Sequence, residues 1–308
     1  MNVIEMDGLV REYGTGRGVK GVSLTVHKGE CFALLGRNGC GKSTLTRLIM
    51  GLEDNYSGSL RILGYDVGGG SREYLKQTGY VMDKSVHWED LSGWENAWFF
   101  AKRYKMPKDA IEGRLKELFE MADMMERAWD PVREYSYGMR RKLALIEAFA
   151  HNPELLVMDE PTTGVDPRFT GRMADMIRGR TADGLSTWVA GNDPDWISGI
   201  NTRLAFMDSG VIPTIGTEEG FIKALSPYQK VSVSLNRSVN IPAPPREIVI
   251  SFDQSDKEIT IIIEQDPGFI PDIMEWIVTH GGEVSDLQVR GGTLREAFLL
   301  KTGEMLEQ

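Results

Sequence analysis

An α/β domain built on a buried parallel sheet, followed by a small α+β domain, is the fold that this sequence predicts. Short apolar runs such as CFALLG (31–36) and the centre of ELLVMDE (154–160) read as strands covered on both faces. They alternate with longer stretches of helical period, the pattern of strand, crossover helix and parallel strand. After about residue 225 the texture changes to a proline-bearing stretch and then to strand-like alternation, which places a domain boundary there.

Taken in order, CFALLG is a strand that runs into GRNGCGKSTL (36–45), and STLTRLIMGL continues as a helix. A helix over 71–77 leads into TGYVMD (78–83). Ser92 and Glu95 have the spacing of a capping box, in which each side chain bonds the other residue's backbone N–H, and they open a helix over GWENAWFFAKRYKM (93–106). Further helices read at 108–126 and 139–151, then the strand of ELLVMDE, and later a strand ending in GLSTWVAGND (184–193). Beyond residue 225, REIVISFDQSDKEITIIIEQ reads as a hairpin about an Asp/Ser/Lys turn. The helix FIPDIMEWIVTHGG, the short strand EVSDLQV and the helix TLREAFLLKTG complete the second domain.

At 308 residues and 41% hydrophobic content the chain is long enough for about two domains, each with its own core. A net charge of -10 argues against a nucleic-acid partner, because binding a phosphate backbone needs clustered Lys and Arg. The two cysteines, Cys31 and Cys40, read as reduced thiols of a cytosolic protein. No leader pattern opens the sequence, and nowhere do 18 consecutive apolar residues occur, so the chain is expected to be neither secreted nor membrane-spanning.

The chemistry starts at Gly36. Gly36, Gly39 and Gly41, with Lys42, Ser43 and Thr44, fit the pattern Gly, four residues, Gly-Lys-Ser; Arg37, Asn38 and Cys40 fill the loop between. Glycines let backbone N–H groups turn inward on a phosphate, and the following helix N-terminus adds partial positive charge. Lys42 is placed to reach β- and γ-phosphates, and the Ser43 hydroxyl to ligate Mg2+. A second apolar strand ends in Asp159 and Glu160, which suit a carboxylate on the metal and a general base on the attacking water. Arg140, Arg141 and Lys142 are expected in the first turn of a helix, where cations oppose the helix dipole, a choice that makes sense if a triphosphate is delivered there.

Between these motifs stands YSYGMRRKLALIEAFAHNPELLVMDEPTTGVDP (135–167), which strongly resembles the ATP-binding subunit of ABC transporters, in particular the drug-exporter-like branch whose signature reads Ser-x-Gly-Met. The resemblance covers about residues 3 to 220, and TLREAFLLKTG resembles a tail common in that branch. It implies a phosphate-loop ATPase core with a parallel sheet, an N-terminal antiparallel part and a helical subdomain at about 85–150, together a nucleotide-binding domain over 1–225. Residues 226–308 would form a small regulatory or dimerising domain. It implies ATP and Mg2+ as cofactors, ATP sandwiched in a homodimer or heterodimer of ATPase subunits, and a separate transmembrane permease. The subunit would be cytoplasmic and peripheral on the inner face of the cell membrane. Ser136 and Gly138 would contact the γ-phosphate held by a partner's Lys42, Tyr13 would stack on adenine, and Asp166 would lie where the two subunits touch.

Two positions depart from the family pattern. Asp83 stands where the family has a Mg2+-ligating Gln, and Asn192 where it has a switch His. Asp83 offers a hard anionic oxygen but is shorter than Gln by one methylene, about 1.5 Å of reach. Asn192 can donate a hydrogen bond but carries no charge near neutral pH, so transition-state stabilisation should suffer more than binding. Good binding with slow hydrolysis is the expectation, with Lys42, Glu160 and Asn192 as the catalytic set. A non-transport ATPase switch, or a weakly hydrolytic regulatory subunit paired with a complete one, are the alternatives.

In the family, the segment after the Gln loop receives a short helix of the membrane subunit. Here that segment holds Trp88, Trp94, Trp98, Phe99 and Phe100. Trp94 and Trp98 share a helix face, Trp88 is a candidate partner contact, and Phe99 and Phe100 are expected in the core. Asp253, Asp256, Glu264 and Asp266 are scattered and read as solvated turns.

Overall fold

A computed structural model describes residues 1–14, 16–83, 86–225, 228–245, 249–264, 268–295 and 297–298. Asp266, and residues 296 and 299–303 of the tail stretch, lie outside the described residues. The chain divides into two compact units, Met1–Glu218 and Glu219–Gln308. The sequence-based boundary at 225/226 thus differs from the observed division by the length of one helix, Glu218–Leu225.

Two sheets make the first unit. In the N-terminal one, β1 (Asn2–Glu12) pairs antiparallel with β2 (Gly18–His27) and with β4 (Ser57–Ile62), and β5 (Tyr65–Asp66) closes the edge. The larger sheet has six strands: β3 (Cys31–Gly36), β6 (Thr78–Val81), β7 (Leu155–Asp159), β8 (Ser186–Gly191), β9 (Arg203–Asp208) and β10 (Val211–Gly216). Their order is β10-β9-β3-β8-β7-β6, parallel throughout except for β10 at one edge. Every residue of β3, β7 and β8 is buried, which explains why these runs show no polar alternation. Four neighbouring strands therefore release four loops at one edge of the sheet: the glycine loop after β3, Asn192 after β8, Glu160 after β7 and Asp83 after β6. Ligands of open α/β sheets collect in this position, outside the carboxyl ends of the strands.

The helix α1 (Lys42–Ile49) is pinned to this sheet from inside. Trp188 of β8 is fully buried and stacks on Phe32 of β3 with ring centroids 5.5 Å apart. Its Nε1 donates to Thr46 Oγ1 at 3.1 Å, and the Thr46 hydroxyl donates in turn to the Lys42 carbonyl at 3.0 Å. The start of the helix, where phosphate chemistry is expected, is thereby fixed by a core contact one turn further along it.

The helical part holds α2 (Gly93–Arg103), α3 (Lys108–Met121) and α4 (Tyr137–Phe149). The capping box at α2 is present: Glu95 N–H donates to Ser92 Oγ at 3.2 Å, and Ser92 N–H to Glu95 Oε2 at 2.8 Å. The stretch 71–77 is a five-residue 3₁₀ turn (Glu73–Gln77) rather than an α-helix. The helix expected over 108–126 stops at Met121, because Asp123 turns left-handed (φ 56°) and Met124 N–H bonds back to Phe119 O at 2.9 Å. Two more helices, α5 (Pro167–Ala182) and α6 (Pro194–Ser198), are capped by Asp166 and Asp193.

After α7 (Glu218–Leu225), the second unit carries a four-stranded antiparallel sheet of β11 (Tyr228–Leu235), β12 (Ser251–Ser255), β13 (Glu258–Glu264) and β14 (Val284–Gly291). Its order is β12-β13-β11-β14. The expected hairpin is β12 and β13, turning at Asp256 and Lys257; β11, the strand before it in sequence, inserts between β13 and β14. Ile273 and Ile277 of α8 (Phe269–Thr279) join Val231, Val233, Ile259 and Ile261 in a separate core. Asp253 and Asp256 are exposed, and among the described residues no three His, Cys, Asp or Glu side chains gather as a metal site. Both cysteines are free and buried. No described helix is long and apolar enough to cross a membrane.

Candidate functional site

At the carboxyl ends of the strands lies a cavity of about 650 Å³, lined by Tyr13, Asn38, Gly39, Gly41, Lys42, Ser43, Thr44, Asp83, Glu160 and Asn192, and also by Arg17, Gly18 and Thr163. Its floor is the glycine loop. Gly41 takes φ 117°, and a Cβ there would stand 2.5 Å from Gly18 O, so only glycine lets β2 approach the loop this closely. At Gly36 a Cβ would meet Met207 O at 2.5 Å and Cys40 Sγ at 2.6 Å. Gly36, Arg37 and Cys40 thus shape the loop from behind without lining the cavity, and Cys40 is buried.

The Lys42 ammonium is buried and fully engaged. It donates to Gly36 O at 2.6 Å and to Arg37 O at 3.3 Å, and stands 3.6 Å from a Glu160 carboxylate oxygen. The last two contacts are long, so an arriving phosphate can replace them with shorter charge-assisted bonds. Glu160 adopts a left-handed backbone (φ 48°), rare for such a side chain, and its N–H donates to Ala190 O at 2.8 Å. Burial raises its pKa; the Lys42 charge and a bond from the Asn192 backbone N–H act the other way, and Asp159 adds to the rise. A carboxylate tuned upward in a cleft is the profile of a general base.

Asp159 is 2% exposed, and its Oδ1 is buried with no hydrogen-bond partner. Burial raises its pKa and Asp83 adds to the rise, whereas a hydrogen bond with Ser43 and the charges of Lys42 and Arg47 lower it. An unpartnered carboxylate oxygen beside a serine hydroxyl and a second carboxylate is a set of hard oxygen donors. That set fits Mg2+, which takes one or two carboxylates together with phosphate oxygens.

Tyr13 is held at the cavity mouth. Its hydroxyl donates to Glu53 Oε1 at 3.0 Å, Arg11 pairs with the same carboxylate at 3.1 Å, and the Arg11 guanidinium sits 4.5 Å from the Tyr13 ring centroid. Arg17 and Thr163 were missed by motif reading. Arg17 is exposed and belongs to no spaced pattern, and Thr163 stands within the quoted 135–167 stretch with no role read for it; the return of the β1–β2 turn and of the loop after Glu160 brings them to the cavity.

Ser136, Gly138 and Asp166 do not line the cavity. Ser136 caps α4, its Oγ accepting from Met139 N–H at 3.2 Å, and Gly138 packs where a Cβ would meet Gly164 O at 3.1 Å. Asp166 accepts from Phe169 N–H at 2.9 Å and pairs with Lys142 at 2.9 Å. The expectation for the three cations of α4 is corrected here. The helix starts at Tyr137, so they fall in its second turn, and none is free. Arg140 pairs with Glu89 at 2.6 Å, Lys142 with Asp166, and Arg141 is 1% exposed among backbone carbonyls.

The segment after Asp83 is corrected too. Phe99 is 41% exposed and Phe100 half-buried, because α2 buries its small residues Ala97 and Ala101 with Asn96 instead. Trp88, 46% exposed, meets Phe99 edge-on at 4.5 Å. Phe100, with Met82, Val86, His87 and Tyr104, lines a second groove of about 290 Å³. Trp94 turns away to stack on Trp129 at 5.1 Å.

A glycine loop on a helix N-terminus, a buried lysine and a carboxylate pair at the ends of parallel strands define a phosphate-loop nucleotide hydrolase. Residues 19–163 match the family model described as ABC transporter. The linearmycin resistance ATP-binding protein LnrL of Bacillus subtilis is 27% identical over 309 residues, spanning 99% of each chain. A Nod factor export ATP-binding protein I of a Rhizobium species is 34% identical over 207 residues, 67% of this chain and 68% of that one. A solved ATP-binding subunit of an ABC transporter superposes with a TM-score of 0.68 at 26% identity, covering 72% of this chain and 92% of that one. The chain belongs to the ABC transporter family as an ATP-binding subunit, whose members are ATPases.

Proposed function

We infer that this subunit binds ATP with Mg2+, closes as a dimer over two nucleotides, and hydrolyses them slowly to reset a membrane exporter. The observation that carries the reading is the convergence of Lys42, Ser43, Asp83, Glu160 and Asn192 on one cavity at the ends of four adjacent strands. The Tyr13 ring stacks on the adenine. The glycine loop's N–H groups and Lys42 hold the β- and γ-phosphates. Ser43, Asp159 and Asp83 would hold Mg2+, which supplies neutralisation of phosphate charge. Glu160 accepts the proton of the attacking water, and Asn192 donates a neutral hydrogen bond to the γ-phosphate. Because that bond gains little as charge develops, binding is favoured over turnover.

Ser136 and Gly138 stand apart from their own cavity, which fits a role in closing the partner subunit's site. Relatives named for linearmycin resistance and for Nod factor export support an export role, and the membrane subunit, not this chain, would choose the cargo. Exposed Trp88, whose ring meets Phe99 and Phe100 beside the groove that Phe100 lines, would seat that subunit at the inner face of the membrane, and the second unit would steady the dimer. The neutral Asn192 also favours a second reading, a regulatory subunit paired with a complete ATPase. Hydrolysis by the full-length chain and by Glu160→Gln tests the core of the proposal. The variant should keep its ATP affinity and lose turnover by about 100-fold or more; undiminished turnover would refute it.

A further inference from the structure

Arg141 is a fully buried guanidinium that, among the described residues, has no carboxylate partner. Its charge is met by four backbone carbonyls. Nη1 donates to Met82 O and, at 2.8 Å, to Asp83 O. Nη2 donates to Asp159 O at 3.2 Å and to Glu160 O. Nε remains without a partner. Burying a cation on carbonyls alone is unfavourable compared with an apolar side chain of the same volume. Packing is therefore no reason for it to be arginine.

What arginine adds is a rigid planar fork. One prong holds the loop after β6, which carries Asp83; the other holds the end of β7, which carries Asp159 and Glu160. The stem rises from α4, three residues after Gly138 of the signature. Glu160 has the strained left-handed backbone, and the peptides on both sides of it are held: its N–H by Ala190 O and its carbonyl by Arg141. Releasing the carbonyl would let the peptide relax and swing the carboxylate off Lys42.

We propose that Arg141 is a positioning residue for ATP hydrolysis: its fork locks the Asp83 loop to the Asp159–Glu160 turn and aims Glu160. The same fork ties both loops to α4, so a shift of the signature helix reaches Glu160 directly. A second link runs in parallel. His87 bridges Glu147 at 3.2 Å and the Arg140 carbonyl at 3.1 Å, fastening the far end of the Asp83 loop to the same helix.

The inference rests on Glu160 being the hydrolytic base, so the test uses both positions in the full-length chain. Arg141→Lys keeps charge and stem but cannot span two loops; Arg141→Gln is the neutral second variant should Lys fold poorly. Measured are the thermal midpoint, affinity for ATP without Mg2+, and kcat and KM with Mg2+. Arg141→Lys should keep metal-free ATP affinity and KM within about threefold while kcat falls at least tenfold. In a Glu160→Gln background it should lower turnover no further, since the residue it acts through is gone. An unchanged kcat in a folded variant, a fall in affinity equal to the fall in kcat, or a full multiplicative loss in the double variant overturns the proposal. Undiminished turnover in Glu160→Gln alone would instead refute the assignment of Glu160.

Discussion

Asn192→His should raise kcat by about 2- to 30-fold with KM nearly unchanged. Residue 192 follows the last residue of β8, and a Cβ on neighbouring Gly191 would lie 3.8 Å from Glu160 Oε2. Asn192 is itself exposed and lines the cavity, so an imidazole fits without displacing core atoms. A neutral hydrogen bond contributes about 1 kcal/mol and one from a charged donor about 1.5–3. The difference of about 0.5–2 kcal/mol applies where γ-phosphate charge develops, which gives the stated range in rate. The pH profile supplies a sign. The gain exists while the imidazole is protonated and fades as pH rises through its pKa. Single-turnover hydrolysis from pH 5.5 to 8.5 at saturating ATP reads it. A folded variant whose kcat stays within twofold, or whose gain is matched by Asn192→Gln, would refute the view that missing charge limits turnover.

Tyr13→Ala should weaken ATP binding by about 5- to 100-fold through lost stacking, whereas Tyr13→Phe, which keeps the ring, should bind within about threefold; fluorescence titration separates them. Asp159→Asn should raise the thermal midpoint of the nucleotide-free protein at pH 7. Burial raises the folded pKa of Asp159, so this residue's contribution is fully favourable below the ordinary carboxylate range and is lost as pH rises through the raised value. The gain should therefore vanish in scans near pH 3. Trp88→Ala should weaken co-purification with a membrane subunit by about 30-fold or more in apparent affinity, with ATP binding intact; unaltered association would remove Trp88 as the partner contact.

Local chemistry alone fixes much of this molecule. Strands buried on both faces favour continuous apolar runs, so β3 and β7 are readable from the sequence, whereas β8 opens on the buried polar pair Ser186 and Thr187. A phosphate loop needs glycine where backbone approaches backbone, and Gly36 and Gly41 bear that out at 2.5 Å. Ser92 and Glu95 act on each other three residues apart, within reach of any spacing rule. Helix ends were less legible: Asp123 supplies a left-handed stop that glycine usually signals.

Tertiary structure decided the partners of groups far apart in sequence. Arg140, Arg141 and Lys142 look alike in a row of cations, yet one meets a carboxylate 51 residues upstream, one gathers carbonyls from two strand ends, and one pairs with Asp166. Arg17 and Thr163 reach the cavity, Phe99 faces solvent, and β11 inserts beside β13 and β14, for the same reason. A side chain's neighbours within one turn or one hairpin are written in the spacing. Its neighbours across a sheet edge exist only once the strands have been ordered, and no local pattern states that order.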